Sequence, residues 1–306
     1  MQRVSGRLWV GGRRARLEAG PYLYLAPALF FLLLFAYWPL LYNAWLSLQE
    51  WNLVSPERRF VGLANYASLL GDPGFHRLLG QSLAYVGLGI LGNFALPLLL
   101  ALATLALPPR WQDLFQTLFF LPTVAAASVA SLVWLYLYLP AVGPLAQALR
   151  LLGGEAPNFL GDPAWALPAV ALVANWKYLG FHYLVALAGL RALPREVVEA
   201  ARVDGAEGWP LARYVLLPLL APTLVFLLLS ALTSALDYAF IPIEVMTQGG
   251  PFGTTSNLMY GAYQEGFRFF RAGVAAAQAV LLVGIFAVFV LWQYRLLSRR
   301  DGDGAL

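Results

Sequence analysis

The 306-residue chain contains no cysteine, two histidines and a single lysine. The absence of cysteine removes disulfides, thiolate nucleophiles and cysteine-ligated metals. His76 and His182 lie far apart, and no His-Glu-x-x-His pattern accompanies them, so no metal site is expected. Nor is a catalytic residue: a Ser–His hydrolase needs a third group to orient the base, and nothing in the sequence supplies one beside His182. His182 reads as a polar member of a helix interface or cavity wall. The lone lysine, Lys177, stands between Trp176 and Tyr178, so the Gly-Lys pair of a phosphate-binding loop is missing and no nucleotide is expected in this chain. Charge is scarce too: 12% of residues are charged, against about 25% in an ordinary soluble domain.

What fills the chain instead is apolar: 60% of residues are hydrophobic, too many to hide in one aqueous core. Six runs approach or exceed the roughly 20 residues that a helix needs to cross a bilayer, at residues 22–48, 81–107, 114–139, 164–190, 214–236 and 272–294. Each is predicted helical, because a segment in hydrocarbon must satisfy its own backbone hydrogen bonds. The prolines inside these runs imply kinks, and the short alternating segments of a β-barrel are absent. The first run ends in Asn43-Ala44-Trp45 without a cleavage signal, so it is expected to stay as a membrane anchor. The expected fold is thus an all-α integral membrane protein with six transmembrane helices. Residues 1–20 form a tail, and residues 21–306 a single membrane domain.

Counting Lys and Arg outside the spans in alternate connections gives 13 on the side of the termini and 6 on the other. Basic residues favour the cytoplasm, so both termini are predicted cytoplasmic. The basic start, with Arg3, Arg7, Arg13, Arg14 and Arg16, serves as that topology signal, and the net charge of +4 requires no nucleic acid.

On the same side lies the connection 191–213, unusual in content. Four arginines and four acids alternate through it. Pro194 suits a helix start, Glu196 and Glu199 favour the positive end of that helix, and Glu199 is spaced to pair with Arg195 or Arg202. Ala200 and Ala201 leave the helix thin, Gly205 permits a turn, and Trp209-Pro210 can begin a second short helix. The stretch reads as a two-helix knob offered to a partner, or more simply as a solvated amphipathic loop.

Here the sequence resembles the permease subunits of binding-protein-dependent ABC importers. Their signature of Glu-Ala-Ala, a glycine four residues on, then an aliphatic residue and Leu-Pro is matched by Glu199, Ala200, Ala201, Gly205, Val215, Leu217 and Pro218. The likeness extends to Phe60-Val61-Gly62-Leu63-Ala64-Asn65-Tyr66 and to Thr247-Gln248-Gly249-Gly250-Pro251, which are similar to the maltose-type sugar branch. The resemblance implies type I ABC importer permease architecture in a bacterial or archaeal cytoplasmic membrane, and no enzyme activity in this chain. It implies as partners a second homologous permease, two ATP-binding subunits that hold ATP and Mg, an extracytoplasmic substrate-binding protein and a carbohydrate, most simply a di- or oligosaccharide. Glu199, Ala200, Ala201, Asp204, Gly205, Leu217 and Pro218 would couple to the ATPase, and Gly249, Gly250 and Pro251 would meet the binding protein.

Ionisable groups at membrane depth are costly and usually face a cavity, and sugars favour aromatic platforms beside hydrogen-bonding groups. The candidate substrate contacts are therefore Trp176, Lys177 and Phe181 on the fourth span and Thr233, Asp237 and Tyr238 on the fifth, and the resemblance carries over Trp176, Tyr178 and Phe181. The resemblance adds Leu236 and Ala239. A plainer alternative has the aromatics packing, Lys177 snorkelling to the outer edge and Asp237 pairing with it. Two other functions stay open: a carrier driven by an ion gradient, with Lys177 and Asp237 as its relay, and a glycerol-phosphate or polyol importer of the same branch.

Overall fold

The structure is a computed structural model and describes residues 19–303. The chain divides into two compact units, residues 1–45 and 46–306. The tail 1–20 lies almost wholly outside the described residues.

The first unit is one helical run: α1 (Ala19–Leu32), a wide π-helical turn (Leu33–Tyr37) and α2 (Trp38–Leu46). The π turn explains how proline sits within a span. Pro39 has no N–H to donate, and its ring crowds the carbonyl four residues back. Widening the ladder just before it relieves that crowding. The same device recurs at Leu91–Ala95 before Pro97 and at Ala212–Leu216 before Pro218. At these three prolines the expected kink is a π-widened turn.

The second unit opens with a two-residue hairpin, β1 (Gln49–Glu50) antiparallel to β2 (Arg59–Phe60), and α3 (Ala64–Gly71). Then come α4 (Pro73–Ile90), the π turn Leu91–Ala95, α5 (Leu96–Leu105), α6 (Pro109–Val124), α7 (Ala127–Leu137), α8 (Pro144–Leu151) and α9 (Pro163–Arg191). After α9 follow α10 (Arg195–Val203), α11 (Gly208–Leu211), α12 (Leu217–Leu219), α13 (Ala221–Pro242), α14 (Leu258–Tyr263) and α15 (Ala272–Asp303). Two Asp-Pro pairs set helix starts: Asp72 and Asp162 each accept a hydrogen bond at 2.9 Å from the amide two residues on, with proline in the first turn.

Six apolar spans are expected; the structure qualifies two of them. Four helical runs among the described residues are long and apolar enough to cross a membrane: Tyr24–Leu46, Pro73–Leu105, Ala221–Thr247 and Ala272–Leu291. The third expected span is broken, with α6 and α7 meeting at a bend of 98° across the extended residues Ala125 and Ala126. The fourth, α9, has the length at 29 residues but, with Asn175, Lys177 and His182 along it, does not match the apolarity of those four. It has no need to, because α4, α5, α6 and α13 pack along it and bury residues from Ala166 to Leu190. Hydropathy is selected where a helix meets lipid, and α9 meets protein.

Glycine sets the closest helix approach. A side chain at Gly180 would run into the Phe119 carbonyl and the Phe120 Cα, so α6 and α9 touch backbone to backbone there.

Candidate functional site

Three regions carry the candidate residues. The first is the segment between α9 and α13. α10 runs into a left-handed turn at Gly205, where φ is +88°. The Gly205 amide donates to the Arg202 carbonyl at 3.0 Å and the Ala206 amide to the Ala201 carbonyl at 2.9 Å, the paired bonds that end a helix on glycine. Ala201 and Ala206 face inward with Val198, Leu211 and Leu216, on a buried cluster that includes Leu190 and Leu105. The opposite face is open: Glu199, Ala200 and Asp204 are exposed, as are Val197, Val203, Trp209 and Tyr214. Neither Arg195 nor Arg202 forms an ion pair with Glu199 among the described residues, contrary to the spacing expectation. Leu217 and Pro218 follow the π turn in α12, with Leu216 buried beside them. The knob is thus anchored by one apolar face and presents the other, charges and aromatics included.

The second region lies midway along α9 and α13, and the structure separates residues that the sequence groups together. Trp176 packs edge-on against Trp134 with ring centres 5.4 Å apart. It borders an almost wholly apolar cleft of about 710 Å³ with Leu88, Gly92, Leu96 and Asn175. Lys177 is buried and points elsewhere: its ammonium donates to the Thr123 carbonyl at 3.1 Å, while the Thr123 hydroxyl donates to the Lys177 carbonyl at 2.8 Å. The last carbonyls of a helix lack intrahelical partners, so Lys177 caps the broken end of α6. It neither snorkels nor pairs with Asp237, and the alternative built on that pair is corrected.

Tyr178 instead stacks on Tyr238 of α13, ring centres 3.5 Å apart and 13° from parallel. His182 is fully buried, its Nδ1 at 3.1 Å from the Tyr178 carbonyl and its Nε2 at 3.2 Å from the Ser230 hydroxyl, which makes it an interface residue. Leu236 and Ala239 face the packed core and present no surface. Phe181, Thr233 and Asp237 are exposed. Thr233 and Asp237 stand one turn apart on α13, a polar face at a depth where polar groups avoid lipid. Of the candidate contacts, Phe181, Thr233 and Asp237 thus keep an exposed surface, and the Tyr178–Tyr238 stack is half-buried.

The sequence reading overlooked Asn93 and Asn175. The Asn93 amide donates to the Asn175 side-chain oxygen at 2.7 Å, and the Asn175 amide to the Leu88 carbonyl at 3.0 Å, closing the π turn of the second span onto α9. Asparagines inside apolar runs are the signal that could have found them.

The third region is the connection 248–271. Glycine and proline suggest a loose loop, but its middle is sewn into the bundle. The Tyr85 hydroxyl donates to the Thr255 carbonyl at 2.8 Å, the Leu258 amide to the Ser82 hydroxyl at 2.9 Å, the Asn257 amide group to the Leu236 carbonyl at 3.1 Å, and the Gln278 amide group to the Leu258 carbonyl at 2.9 Å. Its three charged residues are all paired, one of them with Glu244 just before the connection. Arg268 reaches both Glu244 oxygens at 2.8 Å, with the Tyr260 hydroxyl donating to the same carboxylate, and Arg271 meets Glu265 at 2.6 Å. Burial pushes the Tyr260 phenol above its usual range, helped by its bond to Glu244. Burial likewise raises the Glu265 carboxyl against the opposing pull of Arg271. Gly249, Gly250 and Pro251 form the turn at the start of this segment, followed by Phe252, which is 89% exposed at a left-handed φ of +51°. A bulky aromatic rarely adopts that conformation.

Comparison with known proteins agrees with this geometry. The chain is 33% identical over 280 residues to the sn-glycerol-3-phosphate transport system permease protein UgpA of Agrobacterium fabrum, covering 92% of this chain and 95% of that one. It is also 33% identical over 286 residues to the UgpA protein of Yersinia pestis, with coverages of 92% and 94%. Among solved structures it superposes with a TM-score of 0.80 and 25% identity on a bacterial ABC transporter involved in the import of the acidic polysaccharide alginate, covering 91% of this chain and 95% of that one. It fits equally well, at 0.80, the alginate transporter in complex with an alginate pentasaccharide-bound periplasmic protein. Residues 109–301 match the family described as the binding-protein-dependent transport system inner membrane component. The chain is therefore a member of that family, an all-α membrane permease of the ABC importer class.

Proposed function

We propose that this chain imports a carbohydrate or a related polyol phosphate by alternating access, with a second permease beside it and ATP hydrolysed by two separate subunits that dock on α10 and α11. The observation that carries the proposal is the knob: one face locked on the bundle, the other exposing Glu199 with no internal ion-pair partner beside Val203 and Trp209. An exposed apolar patch with a charge at its centre suits a protein partner. The orientation that puts this knob and both termini in the cytoplasm rests on the 13-to-6 distribution of basic residues.

Phe181, Thr233, Asp237 and the Tyr178–Tyr238 stack form the solute-contacting face on α9 and α13. Trp176, Lys177, Leu236 and Ala239 act behind it by packing. The turn Gly249–Pro251, with Phe252 at its tip, meets a substrate-loaded binding protein on the opposite side of the membrane, as supported by the periplasmic protein in the alginate transporter complex. Both the relatives' sn-glycerol-3-phosphate and the alginate of the solved transporter are oxygen-rich and anionic. Their many oxygens suit the Thr233 and Asp237 face, while an acidic cargo would need a cation that none of the residues named on this face supplies.

The test is Glu199→Lys in the assembled complex. Loss of ATPase subunit co-purification together with ATP-dependent uptake supports the proposal. Retained assembly and uptake would sink it.

A further inference from the structure

The knob's hold on the bundle is mostly apolar, and apolar contact is non-directional: by itself it lets α10 slide across the helix ends without moving them. One polar connection is directional. Arg191, the last residue of α9, donates from its guanidinium to the Gln112 side-chain oxygen at 2.5 Å. The other end of that amide donates to the Leu105 carbonyl at 3.0 Å and the Leu107 carbonyl at 2.8 Å. Leu105 ends α5, Leu107 lies in the turn that follows, and Gln112 sits in the first turn of α6. A single amide therefore ties the end of the second span and the start of the third to the residue from which the knob departs.

We propose that Arg191 and Gln112 are the positioning pair that passes movement of α10 and α11 to the second and third spans, distinct from the docking surface itself. The proposal rests on the reading of α10 and α11 as the ATPase docking knob. The carbonyls of Leu105 and Leu107 belong to backbone that no longer continues as helix, so they are oriented by what donates to them, and Gln112 donates to both. Arg191 holds the amide in that orientation through one guanidinium N–H to its oxygen. The lever arm is short, because only residues 192–194 separate Arg191 from the start of α10. A pull on the knob reaches Gln112 before it is dissipated in a flexible linker.

The experiment uses the complete complex in proteoliposomes, with Arg191→Ala, Gln112→Ala and the double variant, and compares substrate moved per ATP hydrolysed. Each single variant is expected to keep the ATPase subunit through purification and to hydrolyse ATP, while transport per ATP falls about fivefold or more, the size of an ordinary coupling free energy. The double variant is expected to be no worse than Gln112→Ala, which already removes the bond to Arg191. Gln112→Glu keeps the acceptor for Arg191 but cannot donate to Leu105 and Leu107, and should lose transport per ATP as Gln112→Ala does. Unchanged transport per ATP in the single variants, or losses that add in the double variant, would overturn the proposal. So would loss of the ATPase subunit from both single variants, which would move the pair into the docking surface. Glu199→Lys run alongside separates the two ideas: if it releases the ATPase while Arg191→Ala transports normally, the docking function stands and the transmission pair falls.

Discussion

Gly205 offers the sharpest perturbation, because its contribution is confined to backbone conformation. Its φ is +88°, and a Cβ built there meets no atom within 4 Å, so substitution neither overpacks nor leaves a cavity. What remains is the cost of holding an L-residue in the left-handed region, about 1 to 2 kcal/mol for alanine, less for asparagine and more for a β-branched residue. A cost of that size changes a two-state population by a factor of about 5 to 30. The two bonds that close the turn, from Gly205 to Arg202 and from Ala206 to Ala201, hold α10 against the bundle in the geometry that presents Glu199. The affinity of the ATPase subunit for the permease, measured by titration in detergent or nanodiscs, should therefore fall in the order Gly, Asn, Ala, Val. Thermal stability of the bundle should change little. If Gly205→Val bound the ATPase as tightly as the unaltered chain, or if asparagine were worse than alanine, the reasoning would be refuted.

Four further substitutions follow from the spans and from the connection before α15. Lys177→Met removes a charge-assisted bond and leaves the Thr123 carbonyl unpaired at the break between α6 and α7; the complex should lose about 2 kcal/mol of stability, read as a lower melting temperature, whereas Asp237→Asn should leave that temperature unchanged and lower uptake. Gly180→Ala forces a methyl onto the Phe119 carbonyl and should destabilise by about 1 to 3 kcal/mol or more, read by thermal denaturation; an unchanged melting temperature would mean that α6 can move aside freely. Glu265 has a carboxyl raised by burial, so its folded form prefers the proton. Stability from this group is present at low pH and is lost as pH rises through the raised value. Glu265→Gln should flatten the melting temperature against pH on the alkaline side of the ordinary glutamate range, and an unaltered slope would count against the burial argument.

The sequence was most legible where a single physical demand governs a segment. The knob follows from proline, acids, small residues and glycine in order, and Gly205 takes the left-handed turn that its position suggests. Membrane-length helices follow from apolar runs, and the prolines within them from distortion of the ladder. The break after Val124 was legible only in part: Pro122 within the run implies a kink, but Thr-Val-Ala-Ala-Ala carries no glycine or proline to mark a bend of 98°. Lys177, a residue 54 positions away, stabilises that break, and no local pattern reports such a partner. For the same reason the aromatic group on α9 was read as one platform. Trp176 and Phe181 are five residues apart, which places them on different faces of a helix with 3.6 residues per turn: Trp176 borders the cleft, while Phe181 is exposed elsewhere. The segment 248–271 looked loose from its glycines, but its rigidity comes from Ser82, Tyr85 and Gln278, all distant in sequence.

The central claim is that transport through this chain is driven by ATP hydrolysis on a separate subunit acting through α10 and α11. The most direct measurement is substrate uptake into proteoliposomes that contain the complete complex, with the loaded binding protein outside and ATP inside, in the absence of any ion gradient. Uptake that requires both ATP and the binding protein, and that Glu199→Lys abolishes, is the predicted result. Uptake driven by an imposed ion gradient without ATP, and indifferent to Glu199→Lys, would contradict it.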